Sequence, residues 1–280
     1  MKIWIGTDIE GVSGVVGRMH TSTDGMAYEQ ACRWLTDEVN TVGEACFSAG
    51  ATEVVVADTH GSCHNIQRDR LHPEVELING KIASLPDSGV VGLDATFDAA
   101  FLLGYHARAG RHPGILDHTA WAQTVSEVRI NGQPVGETEL VAGYAGSLGV
   151  PTLMVMGDDV LAEDVKAHMP GVRPVVVKTA LNRMQGRHPS PAKVYDRIKR
   201  NAEEVLAGWK DVPVFAFSAP TTLELVFKHP SYAELAAMVP LCERTGLWTV
   251  AFTGTHFTDE VYPAFCSMCG ISAIAYYQGS

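Results

Sequence analysis

The sequence predicts an α/β protein, a mostly parallel sheet flanked by helices, followed by a smaller C-terminal α+β region. Three observations carry that expectation. Short runs such as Ile3–Thr7 and Glu53–Asp58 are apolar almost throughout, as strands covered on both faces are. Helical patterns separate them, which is what crossovers between parallel strands require. Beyond about Arg173 the alternation becomes less regular, which sets the expected division at 1–172 and 173–280.

Taken in order, Ile3–Thr7 is the first strand and Tyr28–Gly50 a long helix closed by Gly50. Glu53–Asp58, Val75–Ile78 and Ala99–Gly104 are the next strands. Val125–Ile130 and Gln133–Val135 flank Asn131-Gly132, the signature of a hairpin around a type I′ turn. Glu137–Leu148 then reads as a helix and Pro151–Met156 as a strand ending at Gly157-Asp158-Asp159. In the tail, Val175–Lys178, Val214–Ser218, Thr222–Phe227 and Thr249–Thr253 have strand character. Ser190–Gly208, Tyr232–Met238 and Asp259–Cys269 have helical character.

Composition narrows the function. The chain has 280 residues, 46% hydrophobic and 19% charged, as in globular rather than disordered proteins. A formal charge of −11 argues against nucleic acid or an anionic membrane as the main partner. No apolar run is long enough to span a bilayer, and no signal-peptide pattern opens the chain. Six cysteines without a disulfide-scaffold density fit a reducing cytoplasm.

The chemistry is sought where open α/β sheets bind ligands, just past the carboxyl ends of the strands. The first strand runs into Asp8 and Glu10, two carboxylates that strand alternation puts on one side. Two anions so close repel unless a cation or a proton lies between them. Glu53–Asp58 is followed by His60, and the run Phe101–Tyr105 by His106. Glu137, at the start of the helix after the hairpin, offers a fifth ligand. Three carboxylates and two imidazoles suit a pair of divalent ions bridged by a carboxylate better than one closed structural zinc. Such ions would turn bound water into hydroxide near neutral pH, which implies metal-assisted hydrolysis.

Each residue also has a plainer explanation. Asp8 and Glu10 fit a loop pair, His60 and His106 fit satisfied core histidines, and Glu137 is favoured in a first helical turn by the helix dipole. Their convergence on one rim makes those explanations the poorer ones. Cys266-Ser267-Met268-Cys269 has a redox-pair spacing, but without a second pair it reads as small apolar residues on the last helix. No Gly-x-Ser-x-Gly elbow points to a serine hydrolase. Asp58 and Asp158 are strand-end acids equally suited to orienting ligands, binding an amine or holding structure.

The motifs Asp8-Ile9-Glu10-Gly11, Asp58-Thr59-His60, Gly104-Tyr105-His106-Ala107-Arg108-Ala109, Asp117-His118 and Pro134-Val135-Gly136-Glu137 stand in order over the first 160 residues. In that order and spacing the chain resembles the zinc-dependent D-aminopeptidases of the dipeptide-permease-associated type. The resemblance implies two zinc ions per subunit, with manganese or cobalt tolerated, on Asp8, Glu10, His60, His106 and Glu137, with Asp8 bridging. It places the catalytic histidine at His118, as acid/base, oxyanion stabiliser or nucleophile; with metal-bound hydroxide at hand, imidazole attack is the less economical. It further implies short peptides or amino-acid amides as substrates, a D preference, and a homo-oligomer, as large as a ring-shaped decamer. The alternatives are an amidase for L-configured or non-peptide amides on the same core, and a metal-stabilised scaffold without activity.

Overall fold

The computed structural model describes residues 1–80 and 88–277. In chain order the first strands and helices are β1 (Lys2–Thr7), α1 (Arg18–Thr21), α2 (Tyr28–Ser48), β2 (Glu53–Asp58), β3 (Val75–Ile78) and β4 (Ala99–Leu103). There follow β5 (Val125–Ile130), β6 (Gln133–Val135), α3 (Glu137–Ser147), β7 (Thr152–Asp158) and α4 (Asp159–His168). The last third holds β8 (Arg173–Asn182), β9 (Gln185–Arg187), α5 (Pro191–Ala207), β10 (Thr221–Phe227) and α6 (Pro230–Ala236). It closes with β11 (Glu243–Arg244), β12 (Thr249–Gly254) and α7 (Tyr262–Tyr277).

Two sheets result. The first has the order β3-β2-β1-β4-β7-β8-β9, parallel from β3 to β8. Only the short β9 runs antiparallel to its neighbour. The second has the order β11-β12-β10-β5-β6 and is antiparallel throughout. The expected α/β architecture with a mostly parallel, helix-flanked sheet is what the chain forms. The expected division at 172/173 falls between α4 and β8, and β8 is hydrogen-bonded to β7 within the first sheet.

Strand alternation sends the first sheet's side chains into two cores. Ile3 and Ile5 of β1 pack with Leu35, Val39 and Val42 of α2 and with Ile198 and Ala202 of α5. Trp4, from the opposite face of β1, packs with Leu140 of α3, Leu223 and Leu225 of β10, and α7. Burial on both faces is why β1, β4 and β7 read as continuous apolar runs. The spacing of Leu35, Val39, Val42 and Cys46 makes α2 amphipathic, and Gly50 at φ 87° ends it just past the last turn.

The tail departs from expectation at Val214–Ser218, which joins no sheet. Its apolar alternation serves a helix instead. The ring of Phe217 and the carbonyl of Phe215 lie so close to Gly143 and Gly146 of α3 that a Cβ at either glycine would clash. Near the end, α7 starts later and runs longer than Asp259–Cys269, behind a π-helical turn at Phe257–Val261.

Candidate metal centre

The order of the first sheet reverses at β1, whose neighbours β2 and β4 lead outward in opposite directions. At such a switch point the loops leaving adjacent strands diverge and open a crevice. Asp8 follows β1, His60 follows β2 and His106 follows β4, so the three reach one crevice. The loop after β1 lies hard against the loop after β4. Asp8 N–H donates to the Leu103 carbonyl at 2.8 Å and Gly11 N–H to the Gly104 carbonyl at 2.7 Å. That approach needs glycine twice: a Cβ on Gly11 would stand 1.8 Å from the Tyr105 carbonyl oxygen, and one on Gly104 (φ 73°) 2.1 Å from that of Asp8.

Glu137 arrives from the second sheet. The β5–β6 hairpin turns through Asn131 (φ 51°) and Gly132 (φ 78°), the left-handed pair that a type I′ turn requires. It delivers Glu137 as the first residue of α3, where Ala120 N–H donates to its Oε1 at 2.7 Å.

The two carboxyl oxygens of Asp8 are divided between the histidines. Oδ1 lies 2.9 Å from His60 Nδ1 and Oδ2 lies 3.2 Å from His106 Nε2. Glu10 Oε2 adds a contact of 3.0 Å to the same His60 nitrogen, and Glu137 Oε1 one of 3.4 Å to the same His106 nitrogen. His118 stacks on His106 with ring centroids 3.9 Å apart, its Nε2 3.8 Å from Glu137 Oε1. All five sequence-derived ligands and His118 therefore converge.

The protons on the three rings follow from their outer partners. His60 Nε2 meets the Thr21 carbonyl at 2.9 Å, His106 Nδ1 the Ala107 carbonyl at 3.0 Å, and His118 Nδ1 the Leu116 carbonyl at 2.8 Å. A carbonyl only accepts, so each of those nitrogens carries the hydrogen. In the neutral ring the other nitrogen is then a lone pair, aimed at carboxylate oxygens. Metal-binding histidines are oriented in this way, by donating their outer N–H to a fixed acceptor.

The electrostatics draw positive charge into the centre. Burial opposes the charge on His60, yet Glu10 and Asp8 outweigh it and hold the imidazole well above its ordinary value. His106 is likewise raised against its burial, by Glu137 and Asp8. Burial works against ionised Asp8, but His106 and His60 hold its carboxyl well below the usual range. Despite their burial, Glu10 Oε2 and His106 Nε2 make no hydrogen bond. The donor atoms of Asp8, Glu10 and His106 lie within 4.8 Å of one another, as do those of His106, His118 and Glu137. Orphaned donor atoms of hard oxygen and imidazole type fit divalent ions such as zinc.

The centre opens on a cavity of ≈ 460 Å³. Asp8, Glu10, His60, Glu137 and His118 line it on the polar side. Trp121, Leu140, Tyr262, Phe265, Cys266 and Cys269 form an apolar wall. The sequence did not single out that wall, because the α7 residues sit on a helix apolar on nearly every side, which reads as core. Cys266 and Cys269 are both buried on that helix. Asp58 and Asp158 do not line the cavity. Asp58 accepts from the Asn65 side chain at 2.7 Å and from Ile66 N–H at 2.9 Å, which bends the His60 loop. Asp158 caps α4 through Leu161 N–H and accepts from Ile115 N–H, next to the His118 loop.

An α/β fold with a carboxylate–imidazole cluster at its switch point defines the class: a protein built to hold divalent ions beside a substrate-sized cavity. Comparison with known proteins narrows the class. The sequence model of peptidase family M55, described as D-aminopeptidase, matches residues 1–265, and the chain belongs to this family. A D-aminopeptidase of Bacillus subtilis (strain 168) is 35% identical over 269 residues, 96% of each chain. A solved structure, the Zn-dependent D-aminopeptidase DppA from Bacillus subtilis, described as a self-compartmentalizing protease, superposes with a TM-score of 0.93. It is 34% identical, and the match covers 98% of both chains.

Proposed function

We propose that this chain is a binuclear zinc aminopeptidase that removes N-terminal residues, of D configuration, from short peptides or amino-acid amides. The observation that carries the reading is the division of the Asp8 carboxylate between two imidazole nitrogens, His60 Nδ1 and His106 Nε2. One side would hold an ion with Asp8, Glu10 and His60, the other with Asp8, His106 and Glu137. Bound there, divalent ions polarise a scissile carbonyl and lower the pKa of water. Zinc, rather than manganese or cobalt, is taken from the Zn-dependent relative.

His118 supplies the proton traffic. With Nδ1–H committed to the Leu116 carbonyl, Nε2 is free to accept a proton beside Glu137 and to pass it to the departing amine nitrogen. The stack on His106 and the bond to Leu116 hold the ring in place for both steps. Trp121, Tyr262 and Phe265 exclude water from the opposite side of the cavity.

The same reading includes self-association into a closed homo-oligomer, in keeping with the relative described as self-compartmentalizing, and takes its size as a ring-shaped decamer. It also places the protein in the cytoplasm. Among the described residues no helix is long and apolar enough to cross a membrane.

The test uses protein stripped of metal, reloaded with zinc and offered D-Ala and L-Ala p-nitroanilides and dipeptides. Two zinc ions per subunit with zinc-dependent release from the D substrates is expected. Turnover confined to L or non-peptide amides, or zinc that stabilises the fold without any turnover, would overturn it. Native mass reads the assembly.

A further inference from the structure

Residues 8–17 belong to no strand or helix, and Glu10 lies within them. The loop's own backbone–backbone hydrogen bonds are few and long, with Val12 N–H to the Ile9 carbonyl and Val15 N–H to the Val12 carbonyl both at 3.2 Å. Its carbonyls turn instead onto one atom. Lys178 Nζ donates to the Glu10 carbonyl, to that of Val12 at 3.0 Å and to that of Val15 at 2.7 Å. An ammonium has three protons, and these are three acceptors.

Lys178 is 1% exposed, and burying an ammonium costs several kcal/mol unless its protons are taken up. The strand is adjusted to bring it there. Val176 pairs with Gly157, but Lys178 rather than Val177 pairs with Asp158, so β8 carries an extra residue at that point. Such a bulge re-aims the side chain that follows it. Two further side chains hold the same loop from outside: Glu38 Oε1 accepts from Ser13 N–H and His188 Nδ1 from Gly14 N–H, each at 3.0 Å. No step of the proposed reaction uses any of the three.

We infer that Lys178 is a positioning residue for one half of the metal centre. By gathering the Glu10, Val12 and Val15 carbonyls it fixes the loop that presents Glu10. It thereby sets the affinity of the ion held by Glu10 and His60, while the ion held by His106 and Glu137 is independent of it. The inference rests on the two-ion reading above.

Stepwise zinc affinities tell the two ions apart, measured by chelator competition on wild type, Lys178→Met and Lys178→Gln, with fold checked by circular dichroism and native mass. Cobalt-loaded samples add the ligand-field spectrum of each site. In Lys178→Met one ion is expected to weaken about 10- to 100-fold, the usual effect of losing an outer partner, and the other to keep its affinity. Lys178→Gln, which keeps two donors, recovers part of the loss. Wild-type affinity for both ions in Lys178→Met, or equal weakening of both, would overturn the inference. So would failure of both variants to fold, since the lysine would then hold the fold rather than the site. A wild type that binds fewer than two ions, or leaves D substrates intact, defeats the two-ion reading itself.

Discussion

The seven-stranded sheet meets the cavity with an edge, whereas α3 and α7 bound it with packed faces. At the edge, loops leaving β1, β2 and β4 bring together residues as distant in sequence as Asp8 and His106, and their polar ends point at one spot. On the faces, helical packing turns apolar side chains inward, and Leu140 and Phe265 give shape without reactive groups. On the proposed reading, one side determines whether a bond is broken, and the other which molecule fits. Glu137 is the exception, an edge-type ligand delivered by the second sheet.

That contrast can be broken most decisively at Asp8. Asp8→Ala is expected to lose both ions and to lower kcat/KM by about 10³-fold or more, read by metal analysis and kinetics together. One tightly held ion and activity within tenfold of wild type would show that the edge does not act as a unit. His118→Ala should lower kcat by about 10²–10⁴-fold while both ions stay bound, because the ring moves protons without holding the cluster. Near-normal turnover with both metals present would remove His118 from the chemistry.

A smaller effect should separate the wall from the edge. Cys269→Phe fills the cavity beside α7, so the preference for alanyl over bulky apolar N-terminal residues should rise about tenfold, with metal content unchanged. If metal binding changed as well, wall and edge would not be separable. The smallest effect lies behind the edge. Burial pushes the Glu38 carboxyl up from 4.5 to about 8. Between those values the native state binds more protons than the unfolded one, so the contribution is complete below pH 4.5 and lost as pH rises through about 8. Relative to Glu38→Gln, metal-free wild type should lose on the order of 1–3 kcal/mol between pH 5 and pH 8, measured by urea unfolding.

The edge was legible in the sequence and the faces were not, for a physical reason. A parallel sheet collects its strand ends at one side, so a polar residue just past an apolar run has a known destination. Asp8, Glu10, His60 and His106 were found in that way, and Asn131-Gly132 fixed the turn that brings Glu137. Apolar patterning, by contrast, says that a face is covered without saying by what. Val214–Ser218 alternates like a strand yet lies across two glycines of α3. The α7 residues read as core and became the cavity wall. Lys178 ended an expected strand, where a lysine reads as a solvated tip; the bulge that turns it inward leaves no trace in composition.

The pairing of β5 with β10 carries a consequence for how the molecule is made. Val128 of the hairpin stands opposite Leu225, and a two-stranded hairpin is at best marginally stable by itself. A growing chain thus displays Asp8, His60, His106 and Glu137 well before the strand that braces the last of them leaves the ribosome. Glu137 is therefore the last of the four to gain packed support, since its hairpin acquires a second sheet neighbour only once β10 has been made.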